Sequence, residues 1–238
     1  MKKVIVIPAR MQSTRLPGKP LIKINGVTIL ERVHKKCEKV LDKKRIFIAT
    51  ESQEIVDFCK KKNLNCINTG KANTALDRIG KFSYHVDSDI YINVQGDEPV
   101  INIKDIKKII KCSSYYKNSV LFGKAACDKK TFYDYSKAKV VVDSNNRVLY
   151  TSRAGIPLNI KGKFVKAFKA VWIYSLPKKI IRKYLSNAQG KLEFLEQNEV
   201  VRFLEMGINT YAIDLSGNSW AVDEKKDLSV IKKIISKK

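Results

Sequence analysis

Arginine, serine, threonine and lysine crowd into one short stretch near the N-terminus, PARMQSTRLPGKPL, residues 8–21. Arg10, Arg15 and Lys19 bring positive charge, and Ser13 and Thr14 bring hydroxyls. Gly18 lets backbone N–H groups approach a ligand closely, while Pro17 and Pro20 stiffen the chain around it. This set of groups suits a polyphosphate. Guanidinium forks grip oxygens in pairs, and an ammonium supplies a compact charge. The stretch is neither G-x-x-x-x-G-K-[ST] nor G-x-G-x-x-G, so the P-loop and dinucleotide-binding fingerprints are absent. A second loaded stretch is QGDEP, residues 95–99. A carboxylate facing a phosphate-binding loop is well placed for Mg²⁺, which takes few carboxylates and completes its shell with phosphate oxygens. Asp97 is the ligand expected there, with Glu98 second; the alternative is that Asp97 only begins a turn.

Both stretches follow short apolar runs, VIVI at 4–7 and DIYINV at 89–94. Further strands are expected at 45–50 and 64–67, and helices at 27–41, 53–62 with Ser52 as N-cap, 74–84 and 103–112. Continuous apolar strands alternating with helices indicate a parallel sheet covered on both faces, and ligands of such sheets bind beyond the carboxyl ends of the strands. From 120 to 175 the pattern turns β-rich, with strands at 120–126, 138–143, 148–151 and 169–174 and a hairpin turn at 143–147. Helices at 177–185, 192–206 and 224–238 and a strand at 208–214 complete the chain, read as one α/β domain over 1–238.

With 238 residues, 44% of them hydrophobic, the chain can build a sizeable core. No apolar run approaches the roughly 18 residues that span a bilayer, and the first one falls short of the roughly 7–15 of a secretory signal. A mature cytoplasmic protein without a membrane partner is expected. The five cysteines are odd in number and widely spaced, which argues against a disulfide framework or a structural zinc site. The net charge of +24 comes largely from lysines scattered in pairs and triplets on polar helix faces. No aromatic-basic interleave accompanies them, so a solvated surface is expected rather than a nucleic-acid site.

Taken together, IPARMQSTRLPGKPL and INVQGDEP resemble the sugar-acid cytidylyltransferases, above all the 3-deoxy-manno-octulosonate (Kdo) cytidylyltransferases or CMP-Kdo synthetases. Further matches follow in the family's order: AKVVVDSNNRVLYTSRAGIP at 138–157, WIYSL at 172–176, LEFLEQNEVVRFLEMG at 192–207 and AVDEKKDL at 221–228. The resemblance implies a Rossmann-like, GT-A-like nucleotidyltransferase fold. That is a three-layer α/β sandwich with a mostly parallel sheet and a smaller β-rich subdomain that pairs two chains into a homodimer. It implies transfer of CMP from CTP to the anomeric hydroxyl of an eight-carbon sugar acid, with release of pyrophosphate. It places Ala9, Arg10, Ser13, Arg15, Lys19 and Arg78 at the nucleotide, and Gln95 between nucleotide and sugar. Arg153, Tyr174 and Glu199 would contact the acceptor, and Asp97 and Asp223 would bind Mg²⁺, the two carboxylates joining Lys19 in catalysis.

The chain departs from the family's pattern in several places. KANTALDRI at 71–79 stands where a Ser/Asn-Gly-Thr-Asp/Glu-Arg segment is usual; Asp77-Arg78 remains and the glycine does not. Ala170-Val171-Trp172 replaces His-x-Gly, Leu176 replaces tyrosine, and Trp220 stands among residues that are usually small. These changes fall on the acceptor side, where an indole is expected to alter the pocket unless Trp172 points into the core or an interface. The alternatives to Kdo transfer are a nucleotidyltransferase for another sugar, such as a nonulosonic acid or an aminosugar phosphate, and a non-catalytic nucleotide- or nucleic-acid-binding relative.

Overall fold

The computed structural model describes residues 1–13 and 15–236; Thr14, one of the hydroxyls noted above, and the last two residues of the expected closing helix lie outside them. The chain runs β1 (Lys3–Pro8), a β2–β3 hairpin (Lys23–Ile24, Val27–Thr28), α1 (Ile29–Glu38), β4 (Ile46–Thr50), α2 (Gln53–Lys61), β5 (Cys66–Asn68), α3 (Ala75–Phe82), β6 (Ile90–Val94) and α4 (Ile103–Cys112). It continues through β7 (Val120–Cys127), α5 (Lys129–Phe132), β8 (Lys139–Val142), β9 (Val148–Ser152) and β10 (Ala167–Pro177). The last elements are α6 (Lys178–Ser186), α7 (Lys191–Glu196), α8 (Val200–Glu205), β11 (Thr210–Asp214) and α9 (Lys225–Ser236).

The main sheet has the order β11-β7-β10-β6-β1-β4-β5. All its neighbours are parallel except β10, which runs against both β6 and β7. From β10 the sheet continues antiparallel through β8 to β9. The β-rich stretch is thus an arm of the same sheet, and β10 threads both parts. Val4 and Val6 of β1 enter one apolar cluster, with Tyr91, Phe82 and Phe203. Ile5 and Ile7 enter the cluster on the other face, with Val33, Ile48 and Ile92. A strand buried on both faces carries no polar alternation, which is why VIVI reads as a continuous apolar run.

Three local expectations are corrected. Helix α1 begins at Ile29 rather than at 27, because Thr28 is extended and its hydroxyl accepts from Glu31 N, while Val27 pairs with Ile24. Ser52 precedes α2 but makes no side-chain cap; its hydroxyl instead accepts from Met11 N at 3.0 Å. The helix expected over 192–206 is two helices. Gln197 adopts the left-handed conformation at φ 46°, and the carbonyls of Glu196 and Gln197 each accept from the Arg153 guanidinium at 3.0 Å. A cation that takes terminal carbonyls out of the helix satisfies them where they stand and stops its propagation.

A buried ion network ties the helices together on the same side. Arg202 of α8 donates to both oxygens of Glu193 on α7, at 2.5 and 2.8 Å, and to Asp77 of α3 at 3.1 Å. Its guanidinium also lies 3.9 Å from the centre of the Tyr184 ring on α6. Replacing only the cation strands two buried carboxylates, a loss on the order of 3–5 kcal/mol. Arg202→Met is therefore expected to lower the melting temperature by roughly 10 °C, read by thermal denaturation. A drop under about 2 °C would show that the network does not hold these helices.

Candidate active site

The carboxyl ends of β1, β4 and β6 open onto one side of the sheet, and their loops are stitched to one another. Ala9 N donates to Ala49 O at 2.9 Å, just past the end of β1. Met11 N is held by the Ser52 hydroxyl beyond β4, and Gly18 N returns to Met11 O at 3.0 Å. Gly18 makes this return with φ 70°, and the turn delivers Lys19 back over the strand ends. Gly96 is required for a different reason: a Cβ there would stand 2.6 Å from the Pro8 carbonyl, so only glycine lets the β1 and β6 exits meet. The late segment joins them through Val222 N, which donates to Asp97 O at 2.9 Å.

These connections bring charges from the beginning, middle and end of the sequence to one point. Lys19 Nζ lies 2.7 Å from Asp97 Oδ2 and 3.6 Å from Asp223 Oδ1. Arg15 reaches the same Asp223 oxygen at 3.2 Å. The lysine side chain is only 14% exposed, so the pairs are partly shielded from water. Glu98 does not join them. It is buried behind the loop, and its carboxyl is pushed up to about 7, chiefly by burial and then by the neighbouring Asp97 charge. Among the described residues no three side chains of His, Cys, Asp or Glu form a metal cluster. The donor set is the Asp97–Asp223 pair, already spanned by one cationic group, and two carboxylates suit an ion that takes its other ligands from phosphate and water.

A cleft of about 1240 Å³ opens at this point. Ala9, Arg10, Ser13, Arg15, Lys19, Gln95, Asp97 and Asp223 line one wall, and Arg78 and Glu199 stand on the other. Arg78 is fastened rather than free. It pairs with Glu51, donates to Thr69 Oγ1 at 3.0 Å and reaches Gly70 O at 3.2 Å, so it holds the segment that leads into α3. That segment survives its missing glycine because Thr74 and Asp77 form a capping box at the start of α3. Glu199 Oε2 accepts from Leu76 N at 2.7 Å, and burial first, with Asp77 and Glu193 adding charge, raises its carboxyl to about 7.

Two expected acceptor residues do not line the cleft. Arg153 spends its guanidinium on the carbonyls of Tyr135, Ser136, Glu196 and Gln197. It knits the β-rich arm to the chain between α7 and α8, which does supply cleft wall through Gln197 and Asn198. Tyr174 is buried in the core, stacked on Trp172 with centroids 5.9 Å apart and 12° between the rings. Trp172 also packs on Phe122, so the indole enlarges the core cluster and is not a cleft wall. Trp220 is 47% exposed and likewise stands off the cleft. Sequence reasoning missed Ser52, Asn73 and Glu193. Ser52 had one available signal, its position just past the end of a parallel strand; Glu193 lies in the LEFLEQNEVVRFLEMG segment that matches the family, where its carboxylate is spent on Arg202.

The family model described as "Cytidylyltransferase" matches residues 4–213. A 3-deoxy-manno-octulosonate cytidylyltransferase of Koribacter versatilis is 31% identical over 237 residues, covering 99% of this chain and 90% of that protein. An 8-amino-3,8-dideoxy-manno-octulosonate cytidylyltransferase of Shewanella halifaxensis is 30% identical, with 97% of each chain covered. Among solved structures, a CMP:2-keto-3-deoxy-manno-octonic acid synthetase complexed with CTP superposes with a TM-score of 0.94 at 28% identity, over 100% of this chain and 99% of the other. Fold, converging loops and sequence agree, and the chain belongs to the 3-deoxy-manno-octulosonate cytidylyltransferase family.

Proposed function

We propose that this cleft transfers CMP from CTP to the anomeric hydroxyl of a Kdo-like sugar acid, with Asp97 and Asp223 as Mg²⁺ ligands. The observation that carries the reading is the meeting of Lys19 with both carboxylates across the mouth of the cleft. In the reaction the acceptor oxygen attacks the α-phosphorus, the bond from that phosphorus to the bridging oxygen breaks, pyrophosphate leaves, and the hydroxyl proton passes to water. Both substrates are anions, so the barrier is dominated by repulsion and alignment. Arg10, Arg15 and Ser13 bind the triphosphate. Lys19, released from Asp97 by the arriving phosphates, places its charge where the displacement builds negative charge. Mg²⁺ held by Asp97 and Asp223 would supply Lewis acidity at the phosphate oxygens and lower the pKa of the attacking hydroxyl. Gln95 and Glu199 face the acceptor. No covalent intermediate is needed, and the five cysteines play no part.

Purified protein given CTP, Mg²⁺ and Kdo is expected to release pyrophosphate, and the 8-amino analogue serves as the second acceptor arm because a relative named for it is equally similar. Asp97→Asn should cut turnover about a hundredfold or more without unfolding the chain, since the side chain is 30% exposed in a loop. Lys19→Ala should weaken CTP binding and slow transfer together. Near-normal turnover by Asp97→Asn would remove that carboxylate from the mechanism, and silence with both acceptors would favour a binding protein on this scaffold.

The β-rich arm carries exposed apolar side chains at Leu149, Leu158, Ile160 and Val165, with Ile160 fully exposed. We propose that these side chains take part in a homodimer contact, which would remove them from water. Sedimentation at micromolar concentration should report twice the 27.1 kDa chain mass, and a species of single mass would remove the assignment.

A further inference from the structure

One layer beneath Gln95 lies a polar side chain for which the surrounding core has no need. Asn93 is on β6, two residues before Gln95, which follows the end of the strand. Its register partners are Val6 on β1 and Tyr174 on β10, both members of the apolar cluster that also holds Tyr91. Asn93 is fully buried. Its Oδ1 accepts from Gln95 Nε2 at 3.1 Å, while its Nδ2 is buried without a partner among the described residues. An amide satisfied at one end only lowers stability, whereas a leucine, with the same branched heavy-atom skeleton, would leave nothing unpaired. Departures of this kind from a well-packed core are expected where function demands them.

Gln95 has a matching need. Its side chain lines the cleft beside Gly96 and Asp97. A glutamine side chain with no partner behind it swings among several rotamers. The hydrogen bond between the Asn93 and Gln95 amides fixes where the Gln95 side chain points.

We propose that Asn93 is a positioning residue for the acceptor end of the cleft: its hydrogen bond holds the Gln95 amide in place so that the free end of that amide meets a hydroxyl of the sugar acid. The inference rests on the function proposed above for Gln95. Asn93 touches no substrate and acts only through its neighbour.

The test compares Asn93→Leu, Gln95→Ala and the double variant, reading KM for the sugar acid, KM for CTP, and melting temperature. Asn93→Leu is expected to raise the sugar-acid KM about five- to tenfold, the scale of one lost hydrogen bond, and to leave the CTP KM within about twofold. Its melting temperature should stay within a few degrees of the wild-type value, the loss of the unpaired amide offsetting the larger side chain. On the Gln95→Ala background the same change should add nothing, because the side chain it orients is already gone. A lower melting temperature with both KM values shifted would mark a merely structural residue and overturn the proposal. So would an effect of equal size with and without the Gln95 amide. An unchanged sugar-acid KM in Gln95→Ala overturns it too, while pyrophosphate release by that variant would leave the transferase reading standing.

Discussion

The ammonium of Lys19, held between the carboxylates of Asp97 and Asp223, is the interaction on which the rest of the molecule is arranged. Two carboxylates brought together on a partly shielded surface repel each other. One cation between them removes that cost and joins three segments far apart in the chain. The surrounding features serve this meeting. Gly18 turns the first loop back, Gly96 allows the β1 and β6 exits to touch, and Val222 N draws the late segment onto Asp97.

The second wall is built on the same principle with the roles reversed, cations serving as fasteners. Arg202 anchors α7 and α8 to α3 through Glu193 and Asp77. Arg78 holds the approach to α3, Arg153 holds the break between α7 and α8, and the fully buried Lys139 is satisfied by three backbone carbonyls. Each of these cations is spent on protein oxygens. Besides Arg78, only three cations among the described residues line the cleft, Arg10, Arg15 and Lys19, although the chain carries a net charge of +24. The scattered surface lysines give a diffuse positive field.

The strands, the two loaded loops and the convergence of Lys19, Asp97 and Asp223 were legible in the sequence. Apolar runs without alternation reveal doubly covered strands, and ligands gather where such strands end. What was not legible depends on where a side chain turns once the chain has folded. Arg153 and Tyr174 lie in segments that match the family's order, yet one is consumed by carbonyls and the other by a ring stack with Trp172. The apolar spacing over 192–206 is helical throughout, and only a distant guanidinium reveals that the helix stops at Gln197. Ser52 has the composition of an N-cap and serves the neighbouring loop instead. The separation of sequence-near residues into core and cleft is likewise invisible until β10 is seen running antiparallel to β6, which sets Tyr174 beside Asn93 and away from solvent.

Calorimetric titration of CTP with and without Mg²⁺, on Asp97→Asn, Asp223→Asn and the double variant, tests most directly whether the two carboxylates serve a single cation point. The account predicts that each single change abolishes the metal's enhancement of CTP affinity and that the double change is no worse than either one. Losses that simply add, or a wild-type affinity indifferent to Mg²⁺, would contradict it.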